Sequence, residues 1–205
     1  MSSTVSAPVV RHLLYEGRRV TSAEPELWHL ARRRGVTATD CAKIVRKNGV
    51  PSSQRRTLLA QKLYGLRGPD YAVYAHGRER EPHIAAWVAA EFGIEHNEAL
   101  CVGEDNRHMA TPDAVGPEGI AEFKTATQPL ERAVRTYSDQ LQWQMHVLHT
   151  ERVLFVVEDR HTLQREWTWV HRDEGRICVL VEHADRFIAE LEERKAQRQA
   201  QYAEA

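Results

Sequence analysis

Apolar and polar positions change period partway along the chain, and that change divides it. The first third reads as short helices. Trp28–Arg34 follows the acidic stretch Ala23–Glu26 and is broken by Gly35. Thr37–Val45 starts a second helix, with Thr39 or Asp40 suited to cap it and Ala42, Ile44 and Val45 apolar. Gly49–Ser53 reads as a loop, and Thr57–Tyr64 as a third helix ending near Gly65. Beyond Gly68-Pro69 a longer helix is expected from about Arg78 to Phe92, with Ile84, Trp87, Val88 and Phe92 on one face. Pro82 is compatible with that helix only in its first turn. Strands are then expected near 96–103, 107–115 and 119–126, the last two joined by the turn Gly116-Pro117-Glu118-Gly119. A helix over Leu130–Leu148, strands near 152–158 and 164–171, and a polar-ended helix from Asp173 to about Gln199 complete the pattern. The order α, then β-β-β-α-β-β, then α predicts an α/β (α+β) fold with a mixed central β-sheet flanked by helices. Residues 1–20 read as a loose lead-in and 21–205 as one domain: a helical part over 21–68, a core over 69–172 and a C-terminal helix over 173–205.

Composition narrows the class. The chain is 42% hydrophobic and 28% charged, with mean hydropathy −0.55. No run nears the ~20 apolar residues of a membrane helix, and Met1–Val10 lacks the features of a signal peptide, so a cytoplasmic protein without membrane association is expected. The three cysteines Cys41, Cys101 and Cys178 are far apart and form no CxxC, which argues against a disulfide framework or a structural zinc site. The net charge of −1 conceals an asymmetry. Residues 1–70 carry thirteen Lys/Arg against five Asp/Glu, and the remainder fifteen against twenty-four. A basic first third matches a phosphate-binding face, although a solvated surface is the simpler reading of charge alone.

Chemistry concentrates in Thr111-Pro112-Asp113 and Ile120-Ala121-Glu122-Phe123-Lys124. Residues two apart on a strand share a face, so Glu122 and Lys124 project together while Phe123 faces a core. An antiparallel return through the Gly116–Gly119 turn brings Asp113 beside Glu122. Two carboxylates with a lysine suit Mg²⁺, with Mn²⁺ as a substitute, since both ions prefer hard oxygen donors. On spacing alone an ordinary Glu–Lys pair on a surface hairpin is the commoner arrangement. Three other segments favour the chemical reading. Glu81, at the start of the preceding helix, would add a third carboxylate, or else is a charged first turn. Tyr137–Val147 interleaves three glutamines with apolar residues, as a helix facing a polar site would. Trp28–Thr39 gathers arginines and hydroxyls at a helix–loop–helix junction, where a helix N-terminus can also hold phosphate. The eleven histidines are scattered, and His146 and His149 read as partly buried polar residues.

The order of these pieces resembles the YqaJ-like viral recombinase group, the family of the phage lambda-type exonuclease, within the PD-(D/E)-x-K nuclease superfamily. The resemblance rests on Trp-His…Arg…Thr-Ala-Thr (28–39), Gly-x-x-x-Glu-Pro (77–82), Thr-Pro-Asp (111–113), Glu-Phe-Lys (122–124) and Tyr-x-x-Gln-Leu-Gln-Trp-Gln-Met (137–145). It implies a restriction-endonuclease-like core and a metal-dependent 5′→3′ exonuclease that converts double-stranded DNA ends into 3′ single-stranded tails for recombination. It places metal at Asp113, Glu122 and Phe123, and catalysis at Asp113, Glu122, Lys124, Glu81 and Gln140. DNA or 5′-phosphate binding falls to Arg32, Thr37, Thr39 and Tyr137. The helical part becomes the DNA-binding segment, and residues 69–172 the catalytic core. A homo-oligomer, a trimeric ring, a single-strand annealing partner and the cytoplasm of a phage host are implied as well. The run Arg32-Arg33-Arg34 leaves open which arginine meets the phosphate, and neither Glu104 nor Asp105 aligns as a further metal ligand. A structure- or site-specific endonuclease, or a DNA-end-binding protein without activity, stays open on the residues alone.

Overall fold

The structure is a computed structural model that describes residues 6–66 and 72–203, without the side chains of 72–74. The expected boundary at Gly68-Pro69 lies outside the described residues. In chain order the elements are β1 (Leu14–Tyr15), β2 (Arg18–Arg19), α1 (Pro25–Arg32), β3 (Val36–Thr37), a 3-10 turn (Ala38–Asp40), α2 (Cys41–Ile44), α3 (Arg55–Tyr64) and α4 (Ala72–Phe92). There follow β4 (Glu95–His96), β5 (Cys101–Val102), β6 (His108–Ala110), β7 (Ala114–Gly116), β8 (Gly119–Ala126), α5 (Leu130–Val147), β9 (Arg152–Asp159), β10 (Arg165–His171) and α6 (Glu174–Ala203).

A mixed five-stranded sheet runs β10-β9-β8-β7-β4. β8 and β9 are parallel, joined across α5, and the other pairs are antiparallel. Alternation along the central strands sorts their side chains into two cores. Ile120, Val153, Phe155 and Val157 meet α5 and α6 through Leu141, Trp143 and Phe187. Ala121, Phe123, Leu154 and Val156 meet Ile84 and Val88 of α4 on the other face. Each large side chain so buried contributes about 1.5–3 kcal/mol, so the sheet is held from both sides. A smaller sheet, β3-β6-β5, and α1 enclose Val20, Leu100, Val102 and Met109. Gly35 permits this: a Cβ there would lie 2.0 Å from the Arg107 carbonyl oxygen.

Several elements depart from the sequence pattern. α1 starts earlier, at Pro25, whose fixed φ suits a first helical position. The expected helix over 37–45 is β3, a 3-10 turn and one turn of helix. Its cap is Thr37, in a capping box with Asp40. α4 begins before Arg78, which puts Pro82 inside the helix rather than in its first turn. The strand expected over 107–115 is split at Thr111-Pro112-Asp113, where the chain leaves the small sheet for the large one. Pro112 has no N–H to donate, so neither ladder continues through it. Asn97 fastens the break, its side chain donating to the Pro112 carbonyl (2.9 Å) and its N–H to that of Asp113 (2.9 Å). The stretch expected to be a loose lead-in also carries contacts. Val9 N–H donates to the Leu148 carbonyl, Leu13 N–H to that of Leu100, and His12 bridges Cys101.

Candidate active site

The β7–β8 register pairs Ala114 with Ala121, which places Asp113 next to Glu122. The Phe123 N–H donates to Asp113 Oδ2 at 2.6 Å. Glu122 and Lys124 project toward α5, where both Glu122 oxygens are engaged. Lys124 Nζ and Gln140 Nε2 donate to Oε1, and Gln144 Nε2 donates to Oε2 at 2.5 Å. Gln140 and Gln144 are one helical turn apart, so both reach the same carboxylate. Tyr137, a turn before, sets its ring 5.1 Å from the Lys124 ammonium. Phe123 buries its ring on the α4 side, leaving only its backbone at the site.

Electrostatics follow from the crowding. Burial, then the Glu122 charge and that of Glu81, push the Asp113 carboxyl well above the usual carboxylate range, against the pull of Lys124. Burial works against the Lys124 ammonium, but Glu122 and Asp113 outweigh it and hold its pKa above the ordinary lysine value. The protein alone therefore keeps one cation between two carboxylates, and the site is short of positive charge.

Among the described residues, no three His, Cys, Asp or Glu side chains gather into a metal site by themselves. The donor set nevertheless fits a hard divalent ion. Mg²⁺ is usually held by one or two carboxylates, with water and substrate phosphate completing its shell. A second cation would also relieve the repulsion that raises Asp113. Glu81 faces the same cavity and lies 3.3 Å from His96 Nε2. Glu104 and Asp105 are engaged elsewhere: Glu104 pairs with Arg11, and Asp105 accepts from the N–H groups of Arg107 and His108.

The three consecutive arginines separate in space. Arg32 lies 5.3 Å from the Trp28 ring and donates to Thr37 Oγ1 (3.3 Å) and Thr39 Oγ1 (3.1 Å). Burial lowers its pKa, partly offset by the nearby Asp40. Asp40 accepts from Thr37 N–H (2.9 Å), Thr37 Oγ1 (2.7 Å) and the buried Lys62 Nζ (2.8 Å). Although burial opposes ionisation, the Lys62 charge keeps this carboxyl below its usual range. Arg33 instead donates to the carbonyls of Lys62 and Leu63 at the end of α3, and Arg34 is exposed. A cavity of about 460 Å³ joins the two groups, lined by Arg32, Thr37 and Thr39 on one side and Asp113, Glu122 and Lys124 on the other. Pattern reading missed His96 and Glu98 on its wall, because β4 is only two residues long and carries no periodicity.

Two solved structures of an alkaline exonuclease from Laribacter hongkongensis share this fold. One is 25% identical with a TM-score of 0.71, and the other, in complex with dAMP, is 27% identical with a TM-score of 0.69. Both alignments cover 87% of this chain and 98% of theirs. A phage-related exonuclease from Haemophilus somnus matches in fold at 13% identity, with a TM-score of 0.62 over 78% of this chain and 96% of its own. No curated protein sequence matches significantly. The YqaJ-like viral recombinase domain matches residues 27–152, more than half of the sequence. On that match, and with Asp113 gathered beside Glu122 and Lys124 of the central strand β8, the chain belongs to the YqaJ-like viral recombinase domain family.

Proposed function

We propose that the chain is a divalent-metal-dependent exonuclease that degrades double-stranded DNA from the 5′ end and leaves 3′ single-stranded tails for recombination. The observation that carries this reading is the shared cavity: a carboxylate pair with a lysine stands across about 460 Å³ from an arginine and two hydroxyls. The solved relatives are described as alkaline exonucleases, and one holds dAMP, a deoxynucleoside monophosphate. Asp113, Glu122 and the Phe123 backbone would hold Mg²⁺ or Mn²⁺, with Glu81 behind them. The bound ion would supply an acidified water and charge compensation at the phosphate.

The remaining work falls to side chains. Gln140 holds Glu122 in place, and Tyr137 packs beside Lys124. Lys124 holds a proton at Nζ, because its two carboxylate neighbours favour the ammonium. With a metal ion drawing on those same carboxylates, Lys124 would orient or help deprotonate the attacking water, or offset phosphorane charge. Arg32 presents a guanidinium fork, which suits a terminal phosphate more than a lysine would. Thr37 and Thr39 hold that fork toward the cavity. The family relationship further suggests a ring of identical subunits, a trimer, and a single-strand annealing partner in a phage host cytoplasm. Among the described residues no helix is long and apolar enough to cross a membrane.

Linear duplex labelled at either 5′ or 3′ end, with Mg²⁺ or EDTA, tests the reading, with closed circular DNA alongside. Early release of 5′ label that requires metal, with the circle intact, is expected. Cutting of the circle would instead establish an endonuclease, and tight end binding without digestion a DNA-end-binding protein.

A further inference from the structure

Gln144 is fully buried on α5, and its two amide atoms are treated unequally. Nε2 donates to Glu122 Oε2 at 2.5 Å, while Oε1 is buried without a hydrogen-bond partner among the described residues. Reversing the amide would press Oε1 against a carboxylate oxygen, so the orientation is fixed by charge. A buried acceptor left without a donor is destabilising, because it gives up its hydrogen bond to water and gains none in return. Ordinary packing does not require that expense, since a methionine would fill the same volume. The residue lines the cavity that also contains Asp113, Glu122 and Lys124.

We infer that Gln144 is a positioning residue for the metal. Its N–H fixes the second oxygen of Glu122, and its Oε1 accepts a hydrogen bond from a water in the ion's shell. The inference rests on the proposed reading of Asp113 and Glu122 as ligands. Gln140 and Gln144 then hold opposite oxygens of one carboxylate, so Glu122 keeps a single rotamer before any ion arrives. Groups that orient a ligand in this way typically change metal affinity about 10–100-fold when removed. Gln142 offers an internal comparison. It is also buried on the same helix, but its amide spans to the His171 carbonyl and the Asp173 N–H, away from the cavity.

The test is titration calorimetry of the DNA-free protein with Mn²⁺, on wild type, Gln144→Met, Gln144→Asn and Gln142→Met, with melting temperatures measured in parallel. Gln144→Met keeps the volume and removes the amide; Gln144→Asn keeps an amide but withdraws it by one methylene, and serves if the first fails to fold. The Mn²⁺ dissociation constant should rise at least about tenfold in the Gln144 variants, while Gln142→Met loses thermal stability and keeps its metal affinity. The Mg²⁺ concentration for half-maximal cleavage should rise with it, more than the rate at saturating metal falls. Folded Gln144 variants that bind Mn²⁺ within twofold of wild type would overturn the inference. Wild-type protein that neither binds Mn²⁺ nor cuts DNA would instead overturn the proposed function beneath it.

Discussion

Asp113 and Glu122 sit side by side at a cost that a cation, or a proton on Asp113, relieves. Folding raises the Asp113 pKa, through burial first and then through the Glu122 charge. Its stabilising contribution is therefore present below the ordinary carboxylate range and is lost as pH rises through the raised folded value. In EDTA at pH 8, Asp113→Asn should melt higher than wild type by ~2–4 °C for each kcal/mol of repulsion removed. Saturating Mg²⁺ should stabilise only the wild type. A lower melting temperature for the variant in EDTA would show that Asp113 is not destabilised there. The arginines separate at the same scale. Arg33→Ala loses two bonds to the end of α3 and should destabilise by about 1.5–3 kcal/mol, read by denaturant unfolding, without altering preference for the 5′ end. Arg32→Ala should slow digestion of 5′-phosphorylated ends far more than of 5′-hydroxyl ends. Equal losses on both ends would move the phosphate site elsewhere.

At the scale of elements, α5 serves two purposes along its length. Its middle presents Gln140 and Gln144 to the site, and its last turn carries His146 into a polar cluster. His108 lies 2.9 Å from Asp185 and 3.0 Å from His146. Burial, then the charges of His108, Arg172 and His149, lower the His146 pKa to about 4, with Asp105 opposing them. A depressed histidine contributes stability above its ordinary 6.5 that is lost as pH falls toward about 4. The melting temperature should drop across that window, and His146→Gln should flatten the drop; an unchanged pH profile would locate the sensitivity in another group. The long elements were legible in the sequence. β8, α5, β9 and α6 have enough residues for their periods to show, and the Glu-x-Lys alternation placed Glu122 and Lys124 on one face, opposite Phe123. Short elements were not. β4, β5 and β6 have two or three residues each, too few for a period to show, and the break between the two sheets at Pro112 is fastened by Asn97, far away in sequence. Pro82 misled because α4 continues N-terminal to it. The separation of Arg32 from Arg33 was equally hidden, since it depends on where the end of α3 arrives in space.

On the whole molecule, the near-zero net charge is divided: residues 1–70 hold the excess of Lys/Arg, and from them Trp28, Arg32, Thr37 and Thr39 line one side of the site cavity. Lys43 lines two larger cavities, one of about 1230 Å³ shared with Arg32, Thr37 and Thr39 and one of about 670 Å³ shared with Asp113, Lys124 and Gln140. Lys43→Ala should weaken DNA binding regardless of sequence or 5′-end chemistry and lower the slope of affinity against salt by about one. A loss confined to phosphorylated ends would make Lys43 part of the end-recognition site instead. The central claim is that Asp113, Glu122 and Lys124 form one metal-dependent catalytic centre. Its most direct test is the single-turnover rate of nucleotide release from a 5′-phosphorylated linear duplex at saturating Mg²⁺, for wild type and Glu122→Ala. The account predicts metal-dependent release by the wild type and a fall of at least about a hundredfold in the variant. Release by folded Glu122→Ala at the wild-type rate would contradict it.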